Sequence, residues 1–507
     1  MPEMIDMLLN GFLAVLEPSN FVYLLMGVVL GLVMGAIPGL TATMAIALIV
    51  PLTFYIEPTQ SIIMLLGAYN AGTFGGSISA ILIATPGTPA AAATVADGFA
   101  LAKQGKAGKA IMTALASSAF GCTFSSIILI LIAQPIAKYA LKFGPGEYTV
   151  LMIFSLSIIA SAAGDSMVKG LIAGIFGLLF GAVGMDPIYS IPRLTFGSVT
   201  LSSGIDLVTM LIGSLAVAEI LIQVEGVARG RVNAHLPGPS CRDDNVFSFR
   251  DFKGVWKTWL RSSCIGCVIG ALPGLGSSLA CFVGYDAAKR ASKNPETFGS
   301  GSLEGVAAAE SANNAVCGAN MIPLLSLGVP GDTATAILIG AFLIQGLTPG
   351  PLIFREAPQL VYNIYSGVIL SNVVMILVTL ATYRLFTRIS RLQTTIIFPS
   401  VCMFCIVGVY ALNQSLIDVW VMLFFAVFGY ILMKFKFPSA CLLIGFILSP
   451  ILEKNYRLAL LISNNDYGIF FKTPITWILW AITVFSLFTI LRGKHRYRVA
   501  QRNRAKA

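Results

Sequence analysis

Glu310 and Asp332 are carboxylates in apolar surroundings. Glu310 lies early in an apolar run, one helical turn before Asn313, and Asp332 directly follows a Pro-Gly pair. An ionisable side chain is costly in hydrocarbon unless partnered, and its presence there points to an ion or substrate path. Four Pro-Gly pairs interrupt the apolar runs: Pro38-Gly39, Pro86-Gly87, Pro273-Gly274 and Pro330-Gly331. Pro lacks a donor N–H and Gly tolerates unusual backbone angles, so each pair breaks a helix. A broken end exposes N–H groups that suit a carboxylate, or C=O groups that suit a cation. Leu40, Thr41, Thr43, Thr88, Ser277, Ser278 and Thr333 lie beside these ends, and Asn70, Asn313 and Asn314 offer both donors and acceptors. No Lys or Arg lies deep in either hairpin, so an anion there would be held by dipoles and neutral donors. Asp332 has two readings. It is a sodium ligand or proton carrier near Asn314, or it is the N-cap of a helix over 333–346. Gly72, Gly75, Gly76 and Gly318 read either as close helix packing or as part of a polar lining. Asp97 and Asp286 adjoin basic loops and read as caps or salt-bridge partners.

Enzyme chemistry is not expected. The two histidines, His235 and His495, lie in polar segments. Among the nine cysteines, the pairs Cys264-x-x-Cys267 and Cys402-x-x-Cys405 have neither a His nor a second pair beside them. They read as small apolar residues one turn apart, not as a metal or redox site. Tyr285-Asp286 and Gly331-Asp332 faintly resemble the motifs of intramembrane aspartyl proteases. The glycine spacing in Gly328-Val329-Pro330-Gly331-Asp332 is wrong for them, and an aspartyl pair must share a proton at close range. A channel would need a pore ring, usually from oligomer symmetry.

Such residues need elements that bring the breaks together, and the chain carries them twice. Gly35-Ala36-Ile37-Pro38-Gly39-Leu40 answers to Gly270-Ala271-Leu272-Pro273-Gly274-Leu275, 235 positions on. Asn70-Ala71 and Pro86-Gly87 answer to Asn314-Ala315 and Pro330-Gly331 at an offset of 244. The second half has therefore gained nine residues between its motifs, in the loop 285–304. Matched breaks in corresponding halves point to a secondary transporter built from repeats, with its site at the breaks.

Composition agrees, with 56% apolar and 11% charged residues and a mean hydropathy of +0.84. Soluble domains carry about 25% charged residues. The fold predicted is an all-α polytopic membrane protein with inverted structural repeats, about 11 crossings and two re-entrant helical hairpins. The crossings fall at 61–85, 110–133, 148–163, 170–185, 205–222, 305–328, 360–383, 394–411, 416–433, 438–452 and 474–491, and the hairpins at 21–54 and 261–285. The net charge of +10 lies largely in loops and the C-terminal tail, as the positive-inside rule requires, and does not indicate nucleic acid. The N-terminus, with Glu3 and Asp6, lacks the basic start of a signal peptide.

No Lys or Arg precedes Lys103, so the first hairpin's flanks, Glu17 and Glu57, are predicted outside. Arg250, Lys253, Lys257 and Arg261, then Lys289, Arg290 and Lys293, place both ends of the second inside. The hairpins thus enter from opposite faces, with the N-terminus outside and the C-terminus cytoplasmic. Lys138, Lys142, Lys454 and Arg457 fall outside, against the rule. The organisation predicted is an external or interfacial segment 1–20, a first transmembrane repeat 21–222 and a cytoplasmic linker 223–260. A second repeat 261–452, an external loop and final helix 453–491 and a basic cytoplasmic tail 492–507 follow.

The pattern Gly31-x-x-x-Gly35-x-x-Pro38-Gly39-Leu40 through Pro51-Leu52-Thr53-Phe54 resembles the large membrane subunit of tripartite tricarboxylate transporters. So do Pro86-Gly87-Thr88-Pro89, Asp97-Gly98, Pro295-Glu296-x-Phe298-Gly299-x-Gly301-x-x-Glu304 and the run Gly305–Ala315. The resemblance spans about residues 20–490, nearly the whole chain. Gly318-Ala319 departs from the Gly-Gly that the family pattern has there. The resemblance implies uptake of tricarboxylates such as citrate, or related organic acids, across a bacterial inner membrane. It implies drive from an ion gradient, commonly sodium, and no cofactor beyond that coupling ion. It implies two partners, a small four-helix membrane subunit and a periplasmic solute-binding protein. Carried over by position, both Pro-Gly hairpins, Asn313, Asn314 and the turn Pro330–Thr333 would form the substrate and ion site. A stand-alone carboxylate transporter without a binding protein is the alternative.

Overall fold

The computed structural model describes residues 2–37, 40–162, 166–186, 188–228, 248–389 and 394–485. The chain divides into two compact units, Met1–Ala140 with Asp206–Ile431, and Leu141–Ile205 with Leu432–Ala507. The first unit opens with α1 (Pro2–Leu16), α2 (Pro18–Ala36), α3 (Ala42–Thr53), α4 (Pro58–Ile83), α5 (Ala92–Lys103) and α6 (Ala107–Ala140). The second unit then supplies α7 (Pro145–Ala162), α8 (Met167–Gly181), the short antiparallel strands β1 (Gly184–Met185) and β2 (Pro192–Arg193), and α9 (Val199–Ser202). The first unit resumes with α10 (Leu207–Leu211), a π-helical stretch (Ile212–Val217), α11 (Ala218–Ala228), α12 (Phe249–Gly270), α13 (Gly276–Ala291) and α14 (Leu303–Leu327). α15 (Thr333–Ile344), α16 (Ile353–Glu356), α17 (Pro358–Ile389), α18 (Thr394–Asn413) and α19 (Leu416–Lys434) follow, and α20 (Ser439–Ile462) returns to the second unit.

Local chemistry sets the ends of these helices. α2 and α4 begin on Pro18 and Pro58, where a missing N–H costs nothing. α2 stops as Ile37 turns extended (φ −82°, ψ 126°) ahead of Pro38, because Pro disfavours helical angles in the residue before it. Ser248 and Asp251 form a capping box that starts α12. α4 and α14 each end on a left-handed residue, Ala84 (φ 55°) and Gly328 (φ 72°), which keep the 244 offset.

The core of the first unit is α4 and α14, both buried along almost their whole length. They run antiparallel: Tyr69 meets Asn320, Thr73 meets Cys317 and Ser77 meets Glu310. α2 lies along α4 with Gly27, Gly31 and Gly35 directly on the backbone of Met64, Ala68 and Gly72. α12 lies on α14 in the same way, with Gly266 and Gly270 on Ala312 and Val316. The equivalent glycines thus touch the equivalent residues in both halves. This is close packing by small residues, and it is the role that Gly72 and Gly75 take as well.

Among the described residues, five stretches are each long and apolar enough to cross a bilayer unaided: Pro18–Ala36, Ala107–Ala140, Leu207–Gly226, Pro358–Thr382 and Leu416–Lys434. α19 presents Trp420, Phe424 and Val427 outward, as a lipid-facing helix does. Two predicted loops are partly helical. The linker 223–260 is helix at both ends, since α11 runs to Ala228 and α12 starts at Phe249, and 229–247 lie outside the described residues. The polar stretch after 453 continues α20 to Ile462, because Glu453 and Arg457, one turn apart, pair at 3.0 Å. The basic tail 492–507 lies outside the described residues.

In the second unit α20 packs on α7 and α8, with Gly177 against Leu442 and Gly445 against Gly174. A network of four charges joins its segments. Arg193 and Arg457 both reach Asp186 (3.6 and 2.5 Å) and Glu453 (2.5 and 3.0 Å). Arg457 therefore has two acidic partners. Hydrogen bonds from the Tyr189 and Ile188 N–H groups, with the two guanidiniums, hold the Asp186 carboxyl below its ordinary range against the opposing effect of desolvation.

Candidate functional site

The breaks come first. Pro38 and Gly39 lie outside the described residues. Beside them Leu40 is buried, and the Thr41 hydroxyl accepts a bond from Met44 N–H (3.1 Å), capping α3. Gly87 seats the turn before α5 against this break. Its N–H donates to Gly76 O (3.1 Å), and a Cβ in its place would strike Gly35 O and stand 2.8 Å from Gly76 Cα. Thr88 lies over Gly76 and accepts from Ala91 N–H at 3.3 Å. In the second half Pro273 is buried and Gly274 and Gly276 take left-handed angles (φ 83° and 63°). Gly274 N–H donates to Gly331 O at 2.7 Å, which pins this break to the turn before α15. The second break thus meets the Pro-Gly turn of its own half, and in the first half that turn meets Gly35 at the end of α2 and Gly76 on α4. Thr41, Thr43, Pro86, Thr88, Ser277, Asp332 and Thr333 are half-buried there, and Ser278 is exposed.

Asp332 caps α15. Its Oδ1 accepts from Thr335 N–H (2.8 Å) and Thr335 Oγ1 (2.9 Å), and its own N–H donates to Thr335 Oγ1 (2.9 Å). The second oxygen, Oδ2, accepts from Tyr69 O–H (2.9 Å), and Asn320 Nδ2 donates to the same phenol oxygen at 3.0 Å. Tyr69 therefore carries a contact from α4 to the turn of the opposite half. No motif in the sequence marks it, although the Tyr69-Asn70 pair inside an apolar run is a visible signal.

Glu310 occupies a second cluster. It is fully buried, and Oε1 accepts from Ser77 (2.6 Å) and from Thr94. Oε2 accepts from Ser118 (3.1 Å) and, at 3.4 Å, from Asn314 Nδ2. Asn314 Nδ2 also donates to Ser118 Oγ (2.7 Å). Ser77, Thr94 and Ser118 come from three different helices, which a reading along one chain segment could not join.

The three asparagines part company. Asn70 points to α17 instead of to a break, donating to Ser371 Oγ (2.6 Å) and Val368 O (3.3 Å). Its counterpart Asn314 reaches α6 through Ser118. Asn313 is fully buried, and neither its amide nitrogen nor its oxygen has a hydrogen-bond partner. Asn320 Oδ1 is likewise unpartnered.

Asp97 and Asp286 have structural roles. Asp97 Oδ1 accepts from the N–H groups of Gly299 (2.8 Å), Gly301 (3.0 Å) and Ser302 (2.8 Å), and Oδ2 from Tyr285 O–H (2.7 Å). Gly299 and Gly301 take φ 91° and 111°, which turns those donors onto one carboxylate. The segment Pro295–Glu304 is thus an anchor for the start of α14. Asp286 is exposed and pairs with Arg290 at 2.6 Å, which suits the salt-bridge reading and not an aspartyl dyad. Among the described residues no three His, Cys, Asp or Glu side chains gather as a metal site.

Comparison with known proteins gives the following. The tripartite tricarboxylate transporter TctA family matches residues 21–444. The chain is 36% identical over 499 residues to an uncharacterized 52.8 kDa protein in the TAR-I ttuC′ 3′ region of Agrobacterium vitis, covering 97% of this chain and 98% of that one. An uncharacterized protein in the TAR-II ttuC′ 3′ region of the same organism is 36% identical over 233 residues, 45% of this chain and 96% of its own length. No solved structure matches the chain.

Proposed function

The chain belongs to the tripartite tricarboxylate transporter TctA family, and on that premise we propose that it is the large permease subunit of an importer of tricarboxylates or related organic acids. An ion gradient, sodium first, drives uptake across a bacterial inner membrane. A small four-helix membrane subunit and a periplasmic solute-binding protein complete the system. The substrate carboxylates lie at the two Pro-Gly breaks, met by helix-end N–H groups and by Thr41, Thr43, Thr88, Ser277, Ser278 and Thr333. Asp332, Asn314 and their neighbours serve the ion.

One observation carries this reading: the second break is pinned to the Pro-Gly turn of its own half by Gly274 on Gly331, and the matching turn of the first half seats Gly87 on Gly35, at the end of α2, and on Gly76. The turn before α15 meets the core helix of the other half, where Tyr69 of α4 donates to Asp332. The antiparallel run of α4 and α14, with Thr73 touching its own counterpart Cys317, supports the inverted repeat. Uptake of labelled organic acids into vesicles, with sodium and proton gradients imposed separately, is the test. Saturable uptake of a tricarboxylate that follows one gradient is expected, and a current linear in voltage without saturation would favour a channel instead.

A further inference from the structure

Glu310 sits at the meeting of α4, α5, α6 and α14, with no exposed surface. Its partners are the hydroxyls of Ser77, Thr94 and Ser118 and the amide of Asn314. Among the described residues no Lys, Arg or His forms an ion pair with it. A buried carboxylate without a counter-charge is strongly disfavoured, and neutral hydroxyls offset only part of that cost. Hydroxyls, however, both donate and accept, so all three can turn lone pairs toward a cation. Carboxylate and hydroxyl oxygens, with no thiolate or imidazole in the cluster, select a hard ion. One negative charge is balanced by one positive charge, whereas a divalent ion would leave a net charge buried.

Two further features single out this place. The counterparts of Glu310 and Ser77 in the other half, at the 244 offset, are Leu66 and Met321, so this oxygen set has no copy. Asn313 follows Glu310 by three positions, within reach on the same helix, and is buried with both amide atoms unpartnered. An unpaired buried carbonyl oxygen is an acceptor without a donor, which a bound ion or its water would satisfy.

We propose that Glu310, with the oxygens of Ser77, Thr94 and Ser118, binds a monovalent alkali cation. This site is separate from Asp332, whose carboxylate is occupied in capping α15 and in holding Tyr69. A coupling role for the ion rests on the transport reading above; the binding itself does not.

The test reads binding without transport. The full-length protein is purified in detergent, and its melting temperature is followed as sodium or potassium replaces choline at constant ionic strength. A saturable rise with one alkali ion is expected for the parent. Glu310→Gln, which keeps shape and can still bond the hydroxyls, should lose the rise. Ser118→Ala and Thr94→Val should move its midpoint by about tenfold, as loss of one ligand does. These two variants keep Glu310 itself, so they report even if Glu310→Gln folds poorly. An unchanged midpoint in Ser118→Ala and Thr94→Val, or a full response in Glu310→Gln, overturns the proposal. A Glu310-dependent response to pH alone, with none to alkali ions, overturns it too, since the carboxyl would then carry a proton. Gradient-driven uptake by a parent that shows no saturable cation response would leave the transport reading standing while this one falls.

Discussion

At residue scale Glu310 and Asp332, the two acids in apolar surroundings, separate by their partners. Asp332 is held by its own helix start, in a reciprocal bond with Thr335 and one contact to Tyr69. Asn caps a helix about as well as Asp, and Ala does not. Asp332→Ala should therefore lower stability by about 1–2 kcal/mol, and Asp332→Asn by much less, in thermal unfolding of the purified protein. Equal losses from both would mean that the charge, and not the cap, is what α15 needs. Tyr69→Phe strips the donor from Asp332 Oδ2 and the acceptor from Asn320 Nδ2. A cost of about 1–3 kcal/mol is expected on the same measurement, since both groups are buried or half-buried. The cap was legible in the sequence because capping is local: an Asp after Pro-Gly, ahead of an apolar run. The Glu310 cluster was half legible. The acid stood out against its surroundings, but Ser77, Thr94 and Ser118 look like any hydroxyls in apolar helices until four helices are packed.

At the scale of elements, apolar length found the helices well, and α4, α6, α14, α17 and α19 fall where the crossings were expected. It failed where charge is paired inside the fold, as in α20 beyond Glu453, because hydropathy cannot see an ion pair. The glycine stripes were ambiguous by sequence and are resolved by contact. A Cβ at Gly31 would stand 2.7 Å from Ala68 Cα, and one at Gly266 would stand 2.8 Å from Ala315 Cβ and strike Ala312 O. Gly31→Ala and Gly266→Ala should each cost about 1–3 kcal/mol, because backbone cannot move aside as a side chain can. Gly254 on α12 has open space around it, so Gly254→Ala should be neutral or stabilising by about 0.5–1 kcal/mol. Three matched melting curves decide it; a loss at Gly254 as large as at Gly31 would remove close packing as the cause. In the second unit, the depressed Asp186 carboxyl implies a stability contribution that is complete above its unfolded value of about 3.9 and fades as pH falls through the lower folded value. Asp186→Asn should flatten that acid limb while leaving the neutral-pH fold of α7, α8 and α20 assembled.

At the scale of the whole molecule, symmetry decides what the two halves can do. Contacts between α4 and α14 pair Tyr69 with Asn320, Thr73 with Cys317 and Ser77 with Glu310, so position rises along one helix as it falls along the other. Thr73 and Cys317 are the same position of the two halves, and they touch at 3.6 Å. In a two-fold pair only residues on the axis touch their own mates. An axis between antiparallel helices lies across them, and in helices that cross a bilayer such an axis would lie in its plane, the geometry an inverted repeat requires. The cross-links of Asn70 to α17 and of Asn314 to α6 follow the same exchange, each core helix holding the outer helix of the opposite half. The consequence is testable in membrane vesicles of known orientation. Glu57 precedes α4 and Lys289 lies near the end of α13, ahead of α14, so the two mark corresponding ends of the two hairpins. Introduced singly as Glu57→Cys and Lys289→Cys in a background without the native cysteines, they should react from opposite faces with a membrane-impermeant thiol reagent. The first should label in right-side-out vesicles and the second only in inverted ones. Labelling of both from one face would show that the helices of the core do not traverse the bilayer as a mirrored pair, and the substrate path between the breaks would have to be drawn along one side instead of through the middle.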